Sequence, residues 1–398
     1  MKIKTEKSVL IYTSSLYIKY SKNKYEFSLP LGEALFDQIS KKNYQFFWFF
    51  REGSRLYNFQ KKTYHTPFLT KVYSLLIKID NLNRILNYKF STTKQIGKFL
   101  FRGFFERLFW KLILNFIRPK IIIGTEPSQE LCIVARKKNI EVIDLEHGLR
   151  DDAYYFNKLY RYTNKGYPNY LFYSDIKDSL ILEKILPKYV RNIESGYLDL
   201  IYYEKEILNA IKFYQNDKRT ILYASTYKIR GSKKPHDLPI DLIKIIQKSK
   251  LNLIIRLHPK LAQSESIFIN SINYLKNQLK KNNCPFNSQK ISFTNPYKNS
   301  LWKDLSNANG LVSLNSSSYR YAKRFGIPVL IHSNEMNIYD KKNHPKGLYG
   351  FSNDLDYEEC ESFINLCLNN NKLSFSKAKK LVFLEKQKML RALEVIEI

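Results

Sequence analysis

The chain has 398 residues, 44% of them hydrophobic, with 13 prolines and 13 glycines; this excludes a compositionally disordered protein and exceeds the usual span of one core, so two domains are expected. Its 66 Lys plus Arg against 36 Asp plus Glu leave a formal charge of +30, a surplus that attracts polyanions (nucleic acid, anionic lipid, phosphorylated substrates) and says little about fold. No zinc-ligand spacing, basic heptad array or aromatic RNA-binding signature accompanies it, and Cys132, Cys284, Cys360 and Cys367 have no metal or redox spacing and fit a reducing compartment.

In chain order, Ser8 to Thr13 reads as a first strand, followed by a polar loop and a helix near Leu31 to Ser40. Tyr44 to Phe50, YQFFWFF, is a dense apolar run expected to be a buried strand. Lys61 to Pro119 is helical in character, basic and rich in large apolar residues. Placed at 100° per residue, Lys94, Lys98, Arg102 and Glu106 share one face, while Arg107, Lys111, Asn115 and Arg118 lie nearly opposite. One straight surface helix would not switch sides, so a kink near Glu106 or a helix largely packed in protein is expected, with a basic aromatic patch on a membrane surface as the functional alternative.

From Pro119 the pattern becomes regular: Lys120 to Gly124 (strand), Ser128 to Lys138 (helix), Ile140 to Leu145 (strand), Tyr170 to Ser174 (strand), Ser179 to Leu186 (helix) and Asn192 to Gly196 (strand). A polar helical connector from Tyr203 to Asp217 marks the domain boundary. The alternation then resumes with strands at Thr220 to Ser225, Leu251 to Leu257 and Ile291 to Thr294, and helices at Leu238 to Lys248, Ser264 to Lys280 and Leu301 to Asn307. Gly310 to His332 follows as strand, serine run, short basic helix, Gly326 and strand, and Leu373 to Ile398 is a helix crossing back over the first domain. Alternating strands and helices imply α/β architecture: two doubly wound parallel sheets facing a central cleft, with ligands at the carboxyl ends of the strands. The expected domains are residues 1–205, with a helical basic insertion at about 61–118, residues 206–372, and the C-terminal helix 373–398. The start has too short an apolar run for a signal peptide, and no uncharged run of about 18 residues occurs. A cytoplasmic protein is expected, with a peripheral position on the cytoplasmic face of the inner membrane as its alternative.

Four strand ends carry polar clusters. Asp144-Leu145-Glu146-His147-Gly148 puts a carboxylate and an imidazole where a general base would sit. Ser225-Thr226-Tyr227-Lys228 offers hydroxyls and a cation suited to phosphate or ribose. Arg256-Leu257-His258-Pro259-Lys260 ends a strand with an imidazole that can donate a proton or, when charged, neutralise a leaving phosphate. Ser316, Ser317 and Ser318 open a helix, a natural phosphate position. No Walker loop, GxGxxG or magnesium-like carboxylate spacing is present. No metal or cofactor is therefore expected, the chemistry resting on His258, serine hydroxyls and backbone N–H groups.

Read in order, EHG (Glu146 to Gly148), ILYASTY (Ile221 to Tyr227), RLHP (Arg256 to Pro259) and NSSS (Asn315 to Ser318) followed by GIPVL resemble GT-B glycosyltransferases of bacterial surface polysaccharide synthesis. The His-Pro and serine motifs are similar to those of polysialyltransferases and lipooligosaccharide sialyltransferases, which use CMP-activated acidic sugars. The resemblance implies Glu146, beside Gly148, as base, His258 as the residue assisting CMP departure, and Ser316 and Ser317 as phosphate ligands; from the same strand-end clusters Ser318, Thr226, Pro259 and Arg256 are expected to complete the nucleotide site. His147 in the middle of the acidic motif departs from the pattern. ILYASTY also resembles a stretch of CDP-glycerol glycerophosphotransferases, on which reading His147 is the base. The resemblance covers Pro119 to His332, and the first 118 residues carry no part of it.

The expected partners are thus a nucleotide sugar, favoured as CMP-nonulosonate (CMP-sialic acid or CMP-Kdo), a capsule or lipopolysaccharide glycan acceptor, free or lipid-linked, and an anionic membrane surface. The alternatives are a CDP-glycerol-type transferase, a UDP-sugar transferase or epimerase on the same architecture, and a basic nucleic-acid-binding protein.

Overall fold

A computed structural model describes residues 8–13, 17–21, 24–28, 30–50, 63–65, 71–79, 103–145, 166–174, 186–214, 217–226, 235–284, 286–313, 318–332, 348–351 and 357–397. The chain divides into two compact units, residues 1–202 with 383–398, and residues 203–382.

Unit 1 is built on a seven-stranded parallel sheet. Its strands are β1 (Ser8–Thr13), β4 (Gln45–Phe50), β5 (Thr63–His65), β6 (Ile121–Thr125), β7 (Glu141–Leu145), β8 (Tyr170–Tyr173) and β9 (Arg191–Glu194), in the order β5-β4-β1-β6-β7-β8-β9. Between β1 and β4 stand an antiparallel hairpin, β2 (Tyr17–Ser21) with β3 (Lys24–Ser28), and helix α1 (Pro30–Ser40). The central strands are apolar on both faces because both are covered, as a parallel sheet requires. Val9, Ile11, Ile121, Ile123, Ile143 and Leu145 pack beneath α1 and α5 (Leu198–Tyr202). Leu10, Tyr12, Phe47, Phe49, Ile122 and Val142 pack on the other face beneath α2 (71–79), α3 (Phe104–Ile117) and α4 (Gln129–Lys137). There Tyr12, Phe49, Tyr73, Phe109 and Trp110 form one aromatic cluster, with Phe49 and Trp110 centroids 4.8 Å apart.

Unit 2 opens with α6 (Glu204–Tyr214) and holds a six-stranded parallel sheet: β10 (Thr220–Ala224), β11 (Asn252–Arg256), β12 (Ile291–Thr294), β13 (Gly310–Ser313), β14 (Val329–His332) and β15 (Leu348–Phe351), in the order β12-β11-β10-β13-β14-β15. Helices α7 (Ile240–Lys248), α8 (Glu265–Lys281) and α11 (Tyr357–Asn369) cover one face with Leu242, Ile246, Leu275, Leu279, Phe363 and Cys367. Trp302 of α9 (Leu301–Ser306) packs on Tyr203 and, with its centroid 5.1 Å away, on Tyr321 of α10 (Ser318–Arg324). At the end of α10, Gly326 takes φ 72°, and Ile327 N–H reaches back to the Ala322 carbonyl at 2.8 Å. That is a left-handed helix stop which glycine adopts without a steric cost. Helix α12 (Phe375–Val395) begins in unit 2, and from Phe383 it belongs to unit 1, where Met389, Ala392 and Leu393 join the core under α1. There the buried Glu385 carboxylate accepts from Tyr197 N–H at 3.0 Å.

Two expectations are corrected, and two others fall partly outside the described residues. The polar loop after β1 contains the β2–β3 hairpin, whose second strand alternates polar with aromatic residues. The stretch from Lys61 does not begin as helix, since Thr63–His65 pair in parallel with Phe46–Trp48 as the edge strand. The helix containing Glu106 begins at Phe104, after Gly103 at φ 68°, where a Cβ would collide with the Glu130 carboxylate, and Lys94 to Arg102, on which the expected change of face rested, lie outside the described residues. Of the helix expected over Ser179 to Leu186, only Leu186 is among the described residues.

Candidate functional site

In unit 2 the strand order reverses beside β10: the chain runs outward to β11 and β12, then returns to β13 on the other side. In open α/β sheets the crevice at such a reversal, outside the strands' carboxyl ends, is where ligands bind. Register puts Ala224 of β10 level with Arg256 of β11 and with Ser313 of β13. Three of the four polar clusters therefore leave one sheet edge from adjacent strands. Ser225 N–H extends the ladder to the Arg256 carbonyl at 2.9 Å. His236 N–H then donates to the Thr226 carbonyl at 2.8 Å, closing at its base the loop that follows β10. Thr226 is half-buried at that neck.

His258 stands two residues beyond β11 and caps a short turn, Pro259–Leu261, in which Pro259 supplies a preset φ at the first position. Lys260 N–H donates to Nδ1 of His258 at 3.1 Å. A ring nitrogen that accepts from an N–H carries no proton, so the neutral ring carries its proton on Nε2. Burial, and secondly the Lys260 charge, bring the His258 pKa down to about 4. At neutral pH the residue is a neutral donor through Nε2 rather than the cation that the sequence allowed.

Arg256 is held by a different partner. Its Nη1 meets Asp304 Oδ2 of α9 at 2.5 Å and donates to the Asn299 carbonyl at 3.0 Å, and Thr294 Oγ1 donates to the same Asp304 oxygen at 3.0 Å. Both charges are largely buried. Burial pushes the Asp304 carboxyl up from its ordinary range, against the opposing pull of Arg256 and the Thr294 hydroxyl. This network ties the ends of β11 and β12 to α9 and so sets the frame from which His258 projects.

Ser318 is the first residue of α10 and is buried, while Ser316 and Ser317 lie outside the described residues. Glu146, His147 and Gly148 also lie outside them, directly after β7. The last residues of β7 are described, and they expose a feature that sequence reading passed over. Asp144 is buried, and its Oδ1 accepts from Glu126 N–H at 2.9 Å. Glu126 follows β6 with φ 53°, a left-handed conformation uncommon for a residue with a side chain. β6 adjoins β1 at the strand-order reversal of unit 1, with Thr13 level with Thr125 and Gly124 level with Asp144. Glu126 thus stands at that reversal with its backbone N–H held by the Asp144 carboxylate. Its signal in the sequence is the GTEPS turn, which falls between the strand ending at Gly124 and the helix from Ser128.

Among the described residues no group of three or more His, Cys, Asp or Glu side chains is placed to hold a metal ion. Among them, too, no helix is long and apolar enough to cross a membrane.

No protein-family model matches the sequence, and no curated protein is similar to it at the level of sequence. Solved structures are similar in fold. The UDP-GlcNAc 2-epimerase of Methanocaldococcus jannaschii superimposes with a TM-score of 0.51 at 13% identity, over 98% of this chain and 99% of that one. A Listeria monocytogenes protein assigned as a UDP-N-acetylglucosamine 2-epimerase gives 0.54 at 12% identity, over 98% and 95%. The wall teichoic acid polymerase TagF gives 0.45 at 12% identity over 97% and 90%, too low a score to add to the assignment. Two parallel, doubly wound units with these structural neighbours give the chain the GT-B fold.

Proposed function

We propose that the protein is a GT-B transferase that moves a sugar from a nucleotide-activated donor, favoured as a CMP-nonulosonate, to a hydroxyl of a bacterial surface glycan. The observation that carries this reading is the convergence of the polar ends of β10, β11 and β13 on one carboxyl edge at the strand-order reversal of unit 2. In this scheme the nucleotide phosphate meets Ser316, Ser317 and Thr226, while the buried Ser318 starts the helix behind them. The acceptor oxygen attacks the anomeric carbon, and its proton passes to Glu146. The bond from that carbon to the phosphate oxygen breaks, its electron pair stays on CMP, and His258 Nε2–H donates to the charge that develops there. Approach of the donor's phosphodiester anion raises the imidazole pKa, and the second charge that develops as the bond breaks raises it further. Arg256 positions His258 through Asp304 and does not itself take the phosphate. Glu126 lends a second carboxylate to the acceptor side. No metal or cofactor takes part, and the protein works in the cytoplasm.

Comparison of Glu146→Gln with His147→Ala tests the assignment of the base. Loss of turnover by at least about a hundredfold in the glutamate variant, with the histidine variant retaining activity, is expected. Loss confined to His147→Ala would move the base to the imidazole and favour polyol-phosphate transfer from a CDP-linked donor.

A further inference from the structure

On α3, Phe109, Trp110, Ile113, Leu114 and Ile117 face the sheet and are buried. The opposite face is not polar. Phe104, Leu108, Leu112 and Phe116, spaced four apart, form a row of exposed apolar side chains about 18 Å long, with Leu112 62% and Phe116 71% exposed. A helix with one face in a core ordinarily turns charge to water on the other.

Cations border the row. Lys111 and Arg118 lie on its exposed edge, and Lys138 brings its ammonium to the Asn115 side-chain oxygen of the same helix. On α2, which packs on α3 through Tyr73, the exposed residues Lys71, Leu75 and Lys78 repeat the combination. The two carboxylates of α3 and α4 are turned to other work. Glu106 accepts from Tyr73 and Trp110, and the buried Glu130 pairs with Arg107 at 2.7 Å. Among the described residues of α2, α3 and α4 the outward charge is therefore positive throughout, in a chain of net charge +30.

We propose that the outward face of α2 and α3 docks on an anionic lipid surface, with Phe104, Leu108, Leu112 and Phe116 inserted at headgroup depth and the flanking lysines over the phosphates. A protein partner would be served by the apolar row alone; the cations along its border, with no outward carboxylate among the described residues of these helices, fit a surface of many anionic headgroups. The inference does not depend on the transferase reading.

Flotation of the full-length protein with vesicles of phosphatidylcholine, with and without about one-third phosphatidylglycerol, tests it. Binding to the anionic vesicles only, weakened by salt, is expected. Lys111→Ala should reduce partitioning about fivefold and Leu112→Glu with Phe116→Glu at least about thirtyfold. These side chains are exposed, so the melting temperature should be unchanged. Absence of wild-type binding to anionic vesicles, or full binding by the double variant, would overturn the proposal. So would a wild-type dimer that the double variant converts to a monomer without any lipid binding, because the face would then be a self-association surface.

Discussion

The backbone N–H of Lys260 donates to His258 Nδ1 at 3.1 Å, which makes this imidazole at once the cap of a turn and a donor through its other nitrogen. The two roles can be separated. His258→Asn retains a capping oxygen but has no titrating ring. Because the folded pKa is lowered to about 4 from 6.5, the unfolded chain binds the proton more readily between those values. The contribution of His258 to stability is therefore present above about pH 6.5 and lost as pH falls towards 4. Thermal melts from pH 7 to pH 4 should show a shallower decline for His258→Asn than for the wild type, with nearly equal stability at pH 7. Turnover at pH 7 should fall by at least about a hundredfold.

The buried pair of Arg256 and Asp304 makes a different prediction. Removing one member strands the other charge, so Arg256→Leu should cost about 3 kcal/mol, read by denaturant unfolding. Arg256→Leu with Asp304→Leu should recover most of that loss, since two apolar side chains replace two desolvated charges. Nucleotide affinity should follow stability in this series. If the double variant regained stability yet lost nucleotide binding completely, Arg256 would be a phosphate ligand after all.

Glu126 lies in the left-handed region at φ 53°, held there by Asp144. Glycine adopts this conformation without strain, so Glu126→Gly should leave stability unchanged or raise it by about 1 kcal/mol. If its carboxylate serves the acceptor, the same variant should lower kcat/KM for the acceptor and leave nucleotide affinity intact. Unaltered acceptor kinetics would reduce Glu126 to a turn residue.

Much of this architecture was legible because parallel strands covered on both faces write themselves as short unbroken apolar runs. Val9 to Tyr12, Ile121 to Ile123 and Leu253 to Ile255 are such runs, short and rich in β-branched residues. The helices read from Ser128, Ser264 and Leu301 start within a residue of serines that each accept an N–H from the first turn, Ser128, Ser264 and Ser300. The hairpin from Tyr17 to Ser28 was not legible, since aromatic residues set among polar and charged ones resemble a polar loop until a partner strand is known. Thr63–His65 was hidden for a related reason, as an edge strand needs only three residues paired along one side. At the site, strand-end position brings Ser225, Thr226, Arg256 and His258 to adjacent strand ends, as the register of β10 and β11 does, but it carries no sign of the Arg256–Asp304 pair. Arg256 reads as a phosphate ligand in the sequence because its partner Asp304 is 48 residues away. For Glu126 the GTEPS stretch signals a turn but not the sign of the backbone dihedral.

The central claim is that the carboxyl edge of β10, β11 and β13 receives a cytidine nucleotide. Melting of the wild type and of His258→Asn in the presence of CMP, CDP, UDP and GDP tests it most directly. At a concentration of about 100 times Kd, a ligand stabilises by about 2.7 kcal/mol, which raises the Tm of a domain of this size by roughly 5 °C. The account predicts the largest shift with CMP and a reduced one in His258→Asn. A larger shift with UDP or GDP, or no shift with any of the four, would contradict it.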